Sequence, residues 1–219
     1  MSPLDAEPLP PLARIADREG ARAPWLPELP PAIPRRGSIL GRIIGRTGLR
    51  LFRWKVIGNL PDRPKGVIIV APHTSNWDFV VGFWAYLALD LRTHWFGKHT
   101  IFAWPFGLLF RHFGGIPIHR ESRSASQLVD VYADEFHGRA QLYLAIAPEG
   151  TRKKVAEWKS GFHRIAHRAH VPIVPVALDF RRRRVIIGPA FFAEGDWERE
   201  KGRIRALYDG VTGRHPHQF

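Results

Sequence analysis

Short apolar runs alternate along this chain with longer, periodically apolar ones. Residues 66–70 are a β-branched run bounded by Pro64 and Pro72, which reads as a buried strand. Residues 79–91 are apolar and long enough for a helix packed on a sheet. Residues 114–120, opened by Gly114 and Gly115, read as a short strand ending in a cation, Arg120. Residues 122–136 place Leu128, Val129, Tyr132 and Phe136 on one helical side, with Ser122 or Ser124 as cap. Residues 141–147, 172–178 and 185–187 read as further strands, 160–169 as a helix and 181–184 as a basic turn. Strands alternating with helices predict an α/β fold, a central mixed and partly parallel sheet flanked by helices. Residues 101–113, rich in large side chains and broken at Pro105, fit a core helix as well as one wall of a greasy site.

The beginning of the chain differs. Residues 1–34 hold nine of the nineteen prolines and three arginines against five acids. This reads as an extended, flexible lead-in, leaving residues 35–219 as a single domain. It lacks the basic start and apolar core of a signal peptide, so no secretion is expected. Residues 35–55 carry seven basic residues and no acid. On a helix starting near Ile39, Arg42, Arg46, Arg50 and Arg53 fall on one side, and Leu40, Ile43, Ile44, Leu51 and Trp54 on the adjacent one, with Leu49 and Phe52 breaking the pattern. Two readings stand: a basic amphipathic helix lying on an anionic membrane surface, or a helix whose apolar stripe covers the core. No apolar run approaches the roughly 18 residues needed to span a bilayer, so any membrane contact is peripheral.

Composition narrows the class. At 219 residues, 45% hydrophobic and 12% aromatic, the chain is globular. With no cysteine, disulfides, thiolate metal sites and a cysteine nucleophile are excluded. The net charge of +13 asks for a polyanionic partner, nucleic acid or an anionic membrane. Eight Trp and fourteen Phe, many beside Arg or His, suit a lipid interface at least as well as a nucleic-acid groove.

Candidate chemistry sits where predicted strands end. His73 follows the 66–70 run, and Asp78 lies five residues on, in the first turn of the next helix. A neutral imidazole can take a proton from a hydroxyl near neutral pH, and a carboxylate can fix its tautomer and stabilise the imidazolium. The same residues also fit a capping box, with Ser75 as N-cap and Asp78 as its acidic partner. Pro148-Glu149-Gly150-Thr151-Arg152 is a turn presenting a carboxylate, backbone N–H groups, a hydroxyl and a guanidinium, suited to phosphate or to the surface. His163, His167 and His170 share a helical face, as in a metal site, but Arg164 and Arg168 share the helix, which favours a solvated basic face.

The order of these blocks resembles the lysophospholipid and glycerol-phosphate acyltransferase family. Residues 73–78 look like its His-x4-Asp motif, 114–120 its arginine-ended second block, and 148–152 its Pro-Glu-Gly-Thr block. Val171-Pro172-Ile173-Val174-Pro175-Val176 is similar to its proline-centred fourth block. Pro72 stands where the family often has Asn, and Ala147 where it often has Phe. The resemblance implies a glycerol-phosphate acyltransferase-like fold and transfer of an acyl group from acyl-CoA or acyl carrier protein to a lysophospholipid hydroxyl, with His73 as base and Asp78 as its partner. No cofactor or metal is implied. Arg120 would grip the acceptor's phosphate, and Glu149, Gly150, Thr151 and Arg152 would shape the acceptor pocket. Lys98 joins them on charge and position. The expected place of work is the cytoplasmic face of a membrane, with the basic surface gathering acyl-CoA, phosphorylated acceptor and anionic lipid. The first acceptor expected is 1-acyl-sn-glycerol-3-phosphate; the rivals are an acyltransferase for another lyso-lipid such as a lyso-aminolipid, a thioesterase using the same pair on water, and a non-catalytic basic membrane- or nucleic-acid-binding protein, and no nucleic-acid motif is present.

Overall fold

A computed structural model describes residues 9–19, 23–118 and 125–219, and the backbone alone of Lys98, Ile118, Ala125 and Ser126. The apolar run at 66–70 forms β2 (Lys65–Ala71). Its neighbours in the sheet are β1 (Lys55–Ile57), β3 (His94–Lys98), β4 (Gly115–Ile118), β5 (Leu142–Ile146), β6 (Ile173–Asp179) and β7 (Arg184–Ile187). The order is β1-β7-β6-β2-β5-β3-β4, which puts β2 at the centre. Every neighbouring pair is parallel except β6 with β7. A strand covered on both faces needs no polar alternation. Val67, Ile69 and Ala71 accordingly join one core, and Ile68 with Val70 the other.

Helices α1 (Leu12–Glu19), α5 (Ala125–Gly138), α6 (Gly161–Arg168) and α7 (Trp197–Ala206) fill the first face. Helices α2 (Ile39–Leu51) and α3 (Asn76–Ala88) fill the second. The short α4 (Phe106–His112) lies near the β4 edge, preceded by a 3-10 turn at His99–Phe102. No helix among the described residues is long and apolar enough to cross a membrane.

Three expectations need correction. The proline-rich lead-in contains the packed helix α1, whose Leu12, Ala13 and Ala16 are buried in the first core. Arg182 ties it down, holding Asp17 at 2.8 Å and the buried Asp179 at 2.6 Å. That guanidinium keeps Asp17 below the usual carboxylate range. Prolines on either side hid a short helix whose buried face is mostly alanine. His163 is not on a solvated face: it is buried, with Nε2 2.8 Å from Glu200 Oε1, while His167 and His170 are exposed. Alternating burial on α6 admits that histidine because α7 brings it a carboxylate. In α2 the apolar stripe does not cover the core, which corrects the second of the two readings of that helix. Gly45, Gly48 and Leu49 are buried, and a Cβ on Gly45 would stand 2.4 Å from Ala88 N of α3. The helices approach so closely that glycine makes the contact, and Ile39, Leu40, Ile43, Ile44 and Leu51 are left exposed.

Candidate active site

Parallel register brings Ala71 of β2, Ile146 of β5 and Lys98 of β3 to one edge of the sheet. At such an edge an α/β sheet opens its crevice. Beyond Ala71 the chain turns through Thr74 to Ser75, whose extended backbone (φ −153°, ψ 161°) caps α3. Asp78 folds its carboxylate back over the turn. Its Oδ2 accepts from Thr74 N–H at 2.5 Å and from Ser75 N–H at 2.6 Å. His73 Nδ1 lies 3.4 Å from the same oxygen.

The capping box and the imidazole–carboxylate pair are therefore one arrangement. Two backbone N–H groups fix Asp78, and the fixed carboxylate faces the ring. At 3.4 Å the pair is within charge–charge reach and longer than a hydrogen bond; such contacts often tighten when substrate binds. The carboxylate is almost fully buried, whereas the His73 side chain is 30% exposed. With Nδ1 turned to Asp78, Nε2 is the atom an incoming hydroxyl can reach.

The Pro-Glu-Gly-Thr turn lies directly behind this loop. Gly150 N–H donates to Ala147 O at 3.1 Å and closes the turn, and Gly150 has φ +65°, the left-handed region that favours glycine. Glu149 is buried, and its Oε2 accepts the His73 backbone N–H at 2.8 Å. Burial pushes its carboxyl up to about 8, with Asp78 adding to the rise and the His73 N–H and Arg205 opposing it. Glu149 thus supports the back of the His73 loop. Arg152 is exposed, and its Nη1 donates to Asn76 Oδ1 in the first turn of α3. Thr151 is half-buried, and its Oγ1 accepts from Lys153 N–H at 3.3 Å.

The structure thus brings His73, Asp78, Glu149, Gly150, Thr151 and Arg152 together. Lys98 ends β3 on the same edge, opposite Ile118 of β4. Arg120 lies outside the described residues. The fourth block supplies β6, with Pro175 opposite Ile69, and so supports β2 without reaching the crevice.

Sequence reasoning missed Asn76, which links Arg152 to the histidine loop, and the segment after α7. His215 N–H donates to Thr74 Oγ1 at 3.2 Å. The Gln218 amide, with its nitrogen toward the carbonyls, donates to Thr74 O at 2.8 Å and Arg152 O at 2.9 Å. No motif marks that segment. A surface cavity beside the outer strand β1 is lined partly by Glu28, Val56, Ile57 and Asn59 and by none of the candidate site residues.

Known proteins resemble this chain in sequence and in fold. The model of the Acyltransferase family matches residues 53–179, more than half of the chain. A 1-acyl-sn-glycerol-3-phosphate acyltransferase of Streptococcus pneumoniae is 30% identical over 135 residues, covering 58% of this chain and 49% of its own. One from Haemophilus influenzae is 30% identical over 150 residues (65% and 61%), and one from Cocos nucifera 29% over 214 residues (84% and 65%). The chain thus spans between about half and two thirds of the length of these relatives. The crystal structure of the 1-acyl-sn-glycerophosphate (LPA) acyltransferase of Thermotoga maritima superposes with a TM-score of 0.54 at 16% identity, covering 78% of this chain and 76% of that one, a likeness of fold. With the family model matching more than half of its length, the chain belongs to the Acyltransferase family.

Proposed function

We propose that this protein transfers a fatty acyl group from acyl-CoA or acyl carrier protein to the free hydroxyl of a lysophospholipid, 1-acyl-sn-glycerol-3-phosphate being the first candidate and phosphatidic acid its product. The observation that carries this reading is the reachable His73 ring with Nδ1 on a buried, backbone-anchored Asp78. The acceptor hydroxyl gives its proton to His73 Nε2 while its oxygen bonds to the thioester carbonyl carbon. The C–S bond then breaks, and the leaving thiolate recovers the proton from the imidazolium. Asp78 holds the ring's tautomer and balances its charge. Glu149 holds the His73 backbone from behind. Arg152 and Lys98 stand at the same edge for an anionic acceptor, and Arg120, on family resemblance, takes the phosphate.

The work belongs at a membrane surface. Ile39, Leu40, Ile43, Ile44 and Leu51 on α2 are exposed among Arg46, Arg50 and Arg53, an arrangement suited to an anionic interface. The test is an acceptor screen with labelled acyl-CoA, run beside His73→Ala. Thiol release should depend on an added lysophospholipid, and the variant should lose on the order of a hundredfold or more in rate. Release without any acceptor would make the protein a thioesterase, and full activity in the variant would remove His73 from the mechanism.

A further inference from the structure

The exposed face of α2 is one half of a larger surface. Between Trp104 and Leu109 the chain presents a second apolar group: Trp104 is 89% exposed, Leu108 76% and Phe106 61%. Folding a soluble chain ordinarily covers side chains of this size, and an exposed cluster of them marks a contact surface.

The first turn of α3, which carries Asp78, joins the two groups. On one side Trp77 meets Phe52, just past α2, with ring centroids 5.6 Å apart. On the other, Phe79 meets Phe110 of α4 at 6.2 Å, and Phe110 meets Phe106 at 6.5 Å. Arg36, before α2, closes the far end with its guanidinium 4.8 Å from the Phe113 ring centroid and 3.4 Å from His112. The rings form a collar around the turn that holds the catalytic carboxylate.

Charge identifies what the collar meets. Residues 35–61 and 91–120 contain no Asp or Glu. The two acids of residues 76–90, Asp78 and Asp90, are each 3% exposed. Beside the apolar groups stand Arg46, Arg50, Arg53 and Arg111, all exposed. Apolar side chains bordered by cations alone complement the acyl layer and anionic headgroups of a bilayer.

We infer that Trp104, Phe106 and Leu108 form a second membrane-inserting element, which enters an anionic bilayer together with α2 and seats the opening at His73 against the lipid surface. This rests on the docking of α2 proposed above. It adds that docking is two-sided, with the acceptor reaching His73 between the two inserts.

The experiment uses the full chain and vesicles of phosphatidylcholine with and without phosphatidylglycerol. Compared are the wild type, an α2 variant (Arg42, Arg46, Arg50 and Arg53 to Gln) and a wedge variant (Trp104→Ser with Leu108→Asp). Each is checked for native circular dichroism, for oligomeric state by light scattering, and for activity on a short-chain, freely soluble lysophospholipid. The wedge variant should partition at least about tenfold less onto the anionic vesicles, while acylating the soluble acceptor like the wild type. Unchanged partitioning of the wedge variant alongside a weakened α2 variant overturns the inference and leaves α2 docking intact. A wild-type dimer that the wedge variant dissociates, with vesicle binding unchanged, assigns the surface to a second copy and also overturns it. Failure of the wild type to bind either vesicle removes the docking reading together with the wedge.

Discussion

Glu149 shows how one residue's protonation enters the site. Its carboxyl, buried behind His73, has a pKa raised from 4.5 to about 8. A raised acid favours the folded state in its protonated form; that stabilisation is complete below the unfolded value near 4.5 and is lost as pH rises through about 8. Glu149→Gln keeps a neutral acceptor for the His73 N–H. Its unfolding temperature, relative to the wild type's, should therefore climb between pH values below 4.5 and above 8; a pH-independent difference would show that this carboxyl does not ionise against its surroundings. At this scale the sequence was informative where chemistry is local. His73 and Asp78 were legible because both belong to one turn. The inward aim of Glu149 and the Asn76–Arg152 bond were not, since they depend on how β5 lies beside β2.

Among the elements, α2 separates propensity from packing. Gly45→Ala gains about 1 kcal/mol of helix propensity, yet its methyl group would sit 2.6 Å from Trp84 O and 2.4 Å from Ala88 N. Both atoms are backbone, so α2 must shift as a body, and overpacking of about 1–3 kcal/mol should outweigh the gain. Gly82 in α3 has nothing within 4 Å of an added Cβ, and Gly82→Ala should raise stability by up to about 1 kcal/mol. Urea titration of both variants reads the contrast, and two shifts of the same sign would contradict it. The contact also explains why the orientation of α2 was hidden in its pattern. Periodicity finds an apolar face by its side chains, and this helix packs with glycines. Leu49, which breaks the stripe, is the residue that anchors it.

For the whole molecule, the alternation of apolar runs predicted the α/β layers and placed five of the seven described strands to within about two residues, but it missed β1 and β3. Sheet order was beyond sequence patterning, because the placement of β7 between β1 and β6 depends on long-range pairing. So was the place of α1, eight residues framed by prolines that show no apolar run. Its attachment has a practical consequence for anyone trimming this protein. A chain begun at Arg35, where composition suggests a clean start, would strip Leu12, Ala13 and Ala16 from the β6–β7 side of the core and leave Arg182 without Asp17. Such a shortened version should lose more than about 3 kcal/mol, a large part of what holds a typical domain folded, and calorimetry should find it melting well below the full-length protein. The stretch that looks most disposable is a wedge driven under the sheet, and the protein is best handled with it in place.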